Sequence, residues 1–153
     1  MSMKQGKSEK GQALVEFALL LPFLILLLLP TVDLGRIFYF AMAVTQAARA
    51  GAEYGIRQST DFAGMTAAAV AAGADVGLTA SDVTIADRYW RCPSDPTTTK
   101  NTNFPIPSGS CGSSSQPLIY VRVVATKNFS LLYSYPWLSS TVTITRAAEV
   151  RVQ

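Results

Sequence analysis

The residues able to do chemistry in this chain are few, and their types limit what that chemistry is. The sequence holds two cysteines, Cys92 and Cys111, and no histidine among 153 residues. Without histidine there is no Ser-His-Asp or Cys-His nucleophile system and no His-ligated metal site, and two thiolates cannot build a four-thiolate zinc site. No Gly-Lys-Ser/Thr loop is present to cradle phosphates. Eight acidic residues follow residue 32, and none forms an evident catalytic pair. The chain is therefore not expected to be an enzyme or to hold a cofactor or metal. Two features remain. Glu16 is a carboxylate inside an apolar run. Cys92 and Cys111 can form a bridge.

The element that positions Gly11 and Glu16 is a long apolar helix. Residues 1–11 are polar and basic, with Lys4, Lys7 and Lys10 against Glu9. Ala13 to Val32 is then a run of 20 residues whose only charge is Glu16, and Leu fills eight of the eleven places from Leu19 to Leu29. As a helix that run spans roughly 30 Å, the thickness of a bilayer's hydrocarbon core. It is apolar all round, so it has no face for water, which argues against a buried helix of a soluble domain. Pro22 and Pro30 each remove an amide donor, a loss that membrane helices tolerate. Three lysines precede the span, while Asp33 and Arg36 behind it cancel. The positive-inside rule then places the N-terminus in the cytoplasm and the chain beyond residue 33 outside.

A cleavable secretory signal also has a basic start and an apolar run. It would show a small-x-small site close behind that run. Ala41-Met42-Ala43 fits the pattern but lies beyond Asp33, Arg36 and the aromatics Phe38, Tyr39 and Phe40. A plain uncleaved anchor is the second alternative. Neither accounts for Glu16, whose insertion costs about 2.5–3.5 kcal/mol at a helix centre and less near an end.

The stretch Lys10-Gly11-Gln12-Ala13-Leu14-Val15-Glu16-Phe17 resembles the processing site of type IV pilin-like precursors. The resemblance implies a prepilin peptidase cut after Gly11, leaving Gln12 first, Glu16 fifth and Phe17 sixth. It further implies that Glu16 sets the register between assembled helices by pairing with a neighbouring subunit's α-amine, with Phe17 beside it. Gly11 to Pro22, followed by Asp33-Leu34-Gly35-Arg36, is similar to the TadE-like family of minor pilins, or pseudopilins, of the bacterial tight-adherence (Tad) pilus machinery. The likeness is sharp over about residues 11–50 and only architectural beyond. It implies an inner-membrane protein, single-pass, whose partners are the prepilin peptidase, other Tad pilins and the assembly platform.

Past the membrane, residues 33–57 contain no proline and continue the helix, from about Gln12 to Ile56 in all. Arg49, Glu53 and Arg57 stand at i, i+4 steps and can pair. Ala47, Ala50, Gly51 and Tyr54 form a face of small residues expected to pack on the protein's own sheet. Ser59, Thr60 and Asp61 are N-cap candidates for a second helix from about Phe62 to Val76. Fourteen of the 40 residues from Ala41 to Ala80 are Ala, so these helices are thin and must pack closely.

The remainder alternates with period two: Val83, Ile85 and Tyr89; Ile119, Val121, Val123 and Ala125; Val142, Ile144, Ala148, Val150 and Val152. Such runs predict antiparallel strands with one buried face. Arg146 breaks the last run on its apolar side and marks either a bulge or a sheet edge. The fold class expected is α+β: a long N-terminal transmembrane helix, a shorter second helix and a C-terminal antiparallel sheet of about three to four strands. The organisation is a leader (1–11), a span (12–32) and an extracytoplasmic domain (33–153).

Two loops stand out. Residues 91–117 are rich in Pro, Ser, Thr, Gly and Asn and carry both cysteines. An exported loop with little core of its own favours a Cys92–Cys111 disulfide over two free thiols. The second, Phe129 to Leu138, is expected to pack partly into the core, with Tyr133, Tyr135 and Trp137 as the alternative, an exposed contact patch for another pilin. Nucleic acid is not an expected partner: loss of the leader takes the side-chain charge from +3 to about +1, little to attract phosphates. An uncleaved anchored binding or adhesion module is the alternative function.

Overall fold

The computed structural model describes residues 9–93, 100–112, 115–133 and 139–152. Helix α1 (Glu9–Arg57) runs for 49 residues without a break, roughly 73 Å at 1.5 Å per residue. It passes through Pro22 and Pro30 and extends the expected helix by three residues at its start and one at its end. Its first half stands alone. Its most apolar stretch is not buried against any other part of the described chain. Its second half is the spine of the head.

Helix α2 (Phe62–Ala72) folds back along α1. Of the three N-cap candidates Asp61 serves: its carboxylate accepts the Gly64 N–H at 2.9 Å and the Tyr54 hydroxyl at 2.8 Å. These bonds hold the Asp61 carboxyl below its ordinary value. The helix stops at Gly73 rather than running to Val76; residues 74–76 tighten into a 3-10 turn because the Gly73 carbonyl takes the Val76 and Leu78 amides.

Three strands follow: β1 (Val83–Arg91), β2 (Leu118–Ser130) and β3 (Thr141–Arg151). They form one antiparallel sheet in the order β1-β2-β3. The expected α+β architecture is present, with three strands. Both helices pack against the sheet, β2 being central. Val121, Val123, Ala125 and Phe129 from β2 meet Val44, Ala47, Ala48 and Ala52 of α1 and Met65 and Ala69 of α2 in one core. The small-residue face of α1 does pack on the protein's own sheet.

Three local expectations change. The bulge lies in β1, between Ile85 and Asp87, and not at Arg146. β3 pairs with β2 without a shift, Arg146 facing Ala125, so Arg146 marks the outer strand of the sheet. β2 continues to Ser130, which takes Phe129 out of the expected loop and into the core at 1% exposure. Arg49, Glu53 and Arg57 are exposed, and none of the ion pairs among the described residues joins them. An exposed i, i+4 pair contributes only a few tenths of a kcal/mol, too little to fix two long side chains.

Cys92 and Cys111 are bonded, with Cα atoms 5.2 Å apart. The bridge closes a loop worth about 3 kcal/mol in the chain-entropy model. Part of that loop is also tied to the sheet: Trp90 and Asn101 exchange backbone hydrogen bonds, and Trp90 Nε1 donates to Asn103 O at 3.1 Å. On the sheet's other face Tyr89 and Tyr120 stack, and the Arg91 guanidinium lies over both rings while bonded to Glu149 at 3.1 Å.

Lys127 reaches back to Asp82 at 2.8 Å and to the Gly77 carbonyl. The Lys127 bond, with help from Thr79, lowers the Asp82 carboxyl below its ordinary value. The linkage has one sign: a carboxyl depressed in the folded state stabilises above its unfolded value, and that stability is lost as pH falls through the folded value. Stability should therefore decline below about pH 4. Lys127→Met should flatten the decline without abolishing it, because Asp61 shares it; melting temperature measured across a pH series reads this directly.

Candidate assembly segment and membrane-exit site

The expected processing and register residues share one uninterrupted helix. Gly11 and Gln12 lie in the first turn of α1, where backbone N–H groups lack intrahelical acceptors and the ends fray. A Cβ at Gly11 would meet nothing within 4 Å. Its glycine thus answers no packing need among the described residues. Glu16 and Phe17 follow one turn later, both exposed. The Gln12 side-chain amide donates to Glu16 Oε1 at 3.4 Å, so the carboxylate faces the N-terminal end of its helix. Leu14, Leu19, Phe23, Leu26 and Leu27 stand exposed around the same rod. An apolar surface of that extent, on all sides of a helix, needs lipid or other helices to cover it.

Where this rod enters the head stand Asp33 and Arg36, whose charges cancel in the sequence. Asp33 is the buried charged residue of the described chain, 2% exposed. Its Oδ1 accepts the backbone N–H of Leu132 at 3.2 Å, 99 residues away, and faces Arg36 at 3.4 Å. Arg36 in turn lies over the Phe129 ring, 4.9 Å from its centroid, and Phe129 packs edge-on to Phe40 at the same centroid distance. The acidic residue and the arginine of the Asp33-Leu34-Gly35-Arg36 stretch therefore clamp the far end of β2 to the start of the head. The signal available in the sequence was an Asp placed at the boundary of an apolar run; its partner is a backbone amide, which no side-chain pattern reveals.

On a neighbouring side of α1, the Tyr39 hydroxyl donates to Asp75 at 2.6 Å. That bond and the nearby carboxylate charge raise the phenol above its ordinary value. Beside it Phe38, Met42 and Arg49 line a shallow groove against Arg146 of β3.

Of the other expected site residues, Cys92 and Cys111 are joined, and Tyr133 lies exposed beside Leu132 at the β2–β3 connection. Tyr135 and Trp137 lie outside the described residues. Among the described residues no group of His, Cys, Asp or Glu is placed to hold a metal ion.

No curated protein and no solved structure matches the chain. A family model does, over the rod, the Asp33–Arg36 clamp and the first turns packed in the head: residues 11–53 match the family described as TadE-like protein, and it is this segment that is similar to that family.

Proposed function

We propose that this chain is a minor pilin-like subunit of a Tad-type pilus, made as a precursor and cut by a prepilin peptidase between Gly11 and Gln12. Residues 12–32 anchor it in the bacterial inner membrane with the N-terminus cytoplasmic, and residues 33–153 form the extracytoplasmic head. The observation that carries this reading is a coincidence of three features on one helix. The family match begins at Gly11, the bare apolar rod begins next to it, and Glu16 is the rod's single charge. After a cut at Gly11 the rod is retained, serving first as anchor and then as an assembly helix. The new α-amine at Gln12 lies within a turn of Glu16, so that neighbouring subunits staggered along the helix axis can pair amine with carboxylate. The partners on this reading are the membrane, the peptidase, other Tad pilins and the assembly platform.

Sequencing the N-terminus of the membrane-extracted protein tests the reading. In cells with an active prepilin peptidase the expected first residue is Gln12, and in cells without it the leader remains. Gly11→Ala should leave most of the protein uncut. A chain that still begins at Met1 or Ser2 in the presence of the peptidase would favour the uncleaved anchored binding module instead.

A further inference from the structure

The head touches the rod in one place that has a consequence for the membrane. β2 runs down α1 toward the apolar half: Val121 and Val123 face Gly55 and Gly51, Phe129 packs on Phe40 and Arg36, and the Leu132 amide meets Asp33. Asp33 is the residue at which the apolar run ends. The segment that leaves β2 is therefore beside the residue at which the apolar run ends. The described residues that leave β2 there are Leu131, Leu132 and Tyr133, and Leu132 and Tyr133 are 63% and 55% exposed. Val32 and Leu34 of α1 are exposed at the same level, so the patch is continuous with the rod.

We propose that the segment leaving β2 is a second membrane contact, with Leu132 and Tyr133 entering the outer interfacial layer of the bilayer that α1 crosses. The inference rests on the anchoring reading above. Tyrosine is enriched at that depth because its ring is apolar and its hydroxyl is wet. A loop entering the layer must also satisfy its backbone donors, since an unpaired amide is costly away from water. The Asp33 carboxylate does this for Leu132, and its own charge faces Arg36 rather than lipid. A second contact away from the helix axis fixes how far the head is rotated and tilted above the membrane, which a single helix does not.

The experiment uses the full chain reconstituted in vesicles of phosphatidylethanolamine and phosphatidylglycerol. An environment-sensitive fluorophore is placed in turn at Leu132→Cys, Tyr133→Cys, Leu20→Cys and Glu53→Cys; the oxidised Cys92–Cys111 pair does not react. Quenching by lipids carrying a nitroxide at a shallow or deep position reads the depth of each. The expected result is deep quenching at position 20, shallow quenching and blue-shifted emission at 132 and 133, and none at 53. Positions 132 and 133 as aqueous as 53, with 20 deep, would overturn the second contact and leave the anchor standing. All four aqueous would remove the anchor and the second contact together. Shielding of 132 and 133 only when other pilus proteins are added would assign the patch to a protein partner and overturn the lipid assignment.

Discussion

Gly51→Leu should strongly destabilise the head while leaving the apolar rod able to insert. Gly51 is the point where three elements cross. A Cβ there would stand 3.0 Å from the Met65 carbonyl oxygen of α2, 3.1 Å from Val123 Cγ1 of β2 and 3.2 Å from Ala69 Cβ. The first of these is backbone and cannot swing away. Loss of a helix-interior glycine favours the helix by about 0.8–1 kcal/mol. Alanine should spend that gain on its tight contacts and leave stability near that of the parent. Leucine adds three more carbons where there is no volume, and overpacking a well-filled core costs about 1–3 kcal/mol or more. Because α2 and β2 must both retreat, the upper end of that range applies, against a total domain stability of about 5–15 kcal/mol. The check is a thermal melt of the detergent-solubilised chain. A fall on the order of 10 °C is expected for Gly51→Leu and little change for Gly51→Ala. Equal stability of all three chains would mean that the close crossing of α1, α2 and β2 is wrong.

The same crossing shows which parts of the molecule local sequence pattern could reveal. Val121, Val123 and Ala125 recur at strand spacing and are buried as expected, while the helix face read as Ala47, Ala50, Gly51 and Tyr54 is turned slightly, with Ala48 and Ala52 buried and Ala50 and Tyr54 half-buried. What the pattern did not give is the pairing between distant segments. The alternating run was read only to Ala125, yet β2 continues to Ser130, where Lys127 bonds Asp82 and Gly77 on another element and Asn128 accepts from Thr143 across the sheet. Asp33 is the sharpest case at the candidate site. Its charge, read locally, only balanced Arg36; its place in the structure depends on a backbone amide of the segment leaving β2. The TadE-like match stops at residue 53, within α1 and short of all three strands.

Glu16→Ala, on the proposed reading, should abolish or strongly reduce incorporation into the pilus while improving, or at least sparing, membrane insertion. The two effects have opposite signs because the carboxylate is unfavourable in one state and partnered in the other. In the single subunit Glu16 stands exposed on the rod with Gln12 as a neutral hydrogen-bond donor one turn away. In lipid that leaves a charge without a cation, at a cost of about 2.5–3.5 kcal/mol if it sat at mid-bilayer and less near the end, where residue 16 lies. In a fibre, the Gln12 α-amine of an adjacent subunit supplies the cation, and helices offset so that amine meets carboxylate are favoured over every other stagger. Alanine removes the insertion cost and the preference together. Glu16→Gln separates charge from shape: it keeps length and hydrogen bonding, so it should insert well and still fail to recover most of the assembly. The readout is the ratio of pilus-associated to membrane-retained protein, compared at equal N-terminal processing so that a cleavage defect is not mistaken for an assembly defect. A Glu16→Ala subunit that enters pili at the parent's level would show that register is set elsewhere on the rod. A Glu16→Gln subunit that does so would show that the partner is a hydrogen-bonding group and not the amine.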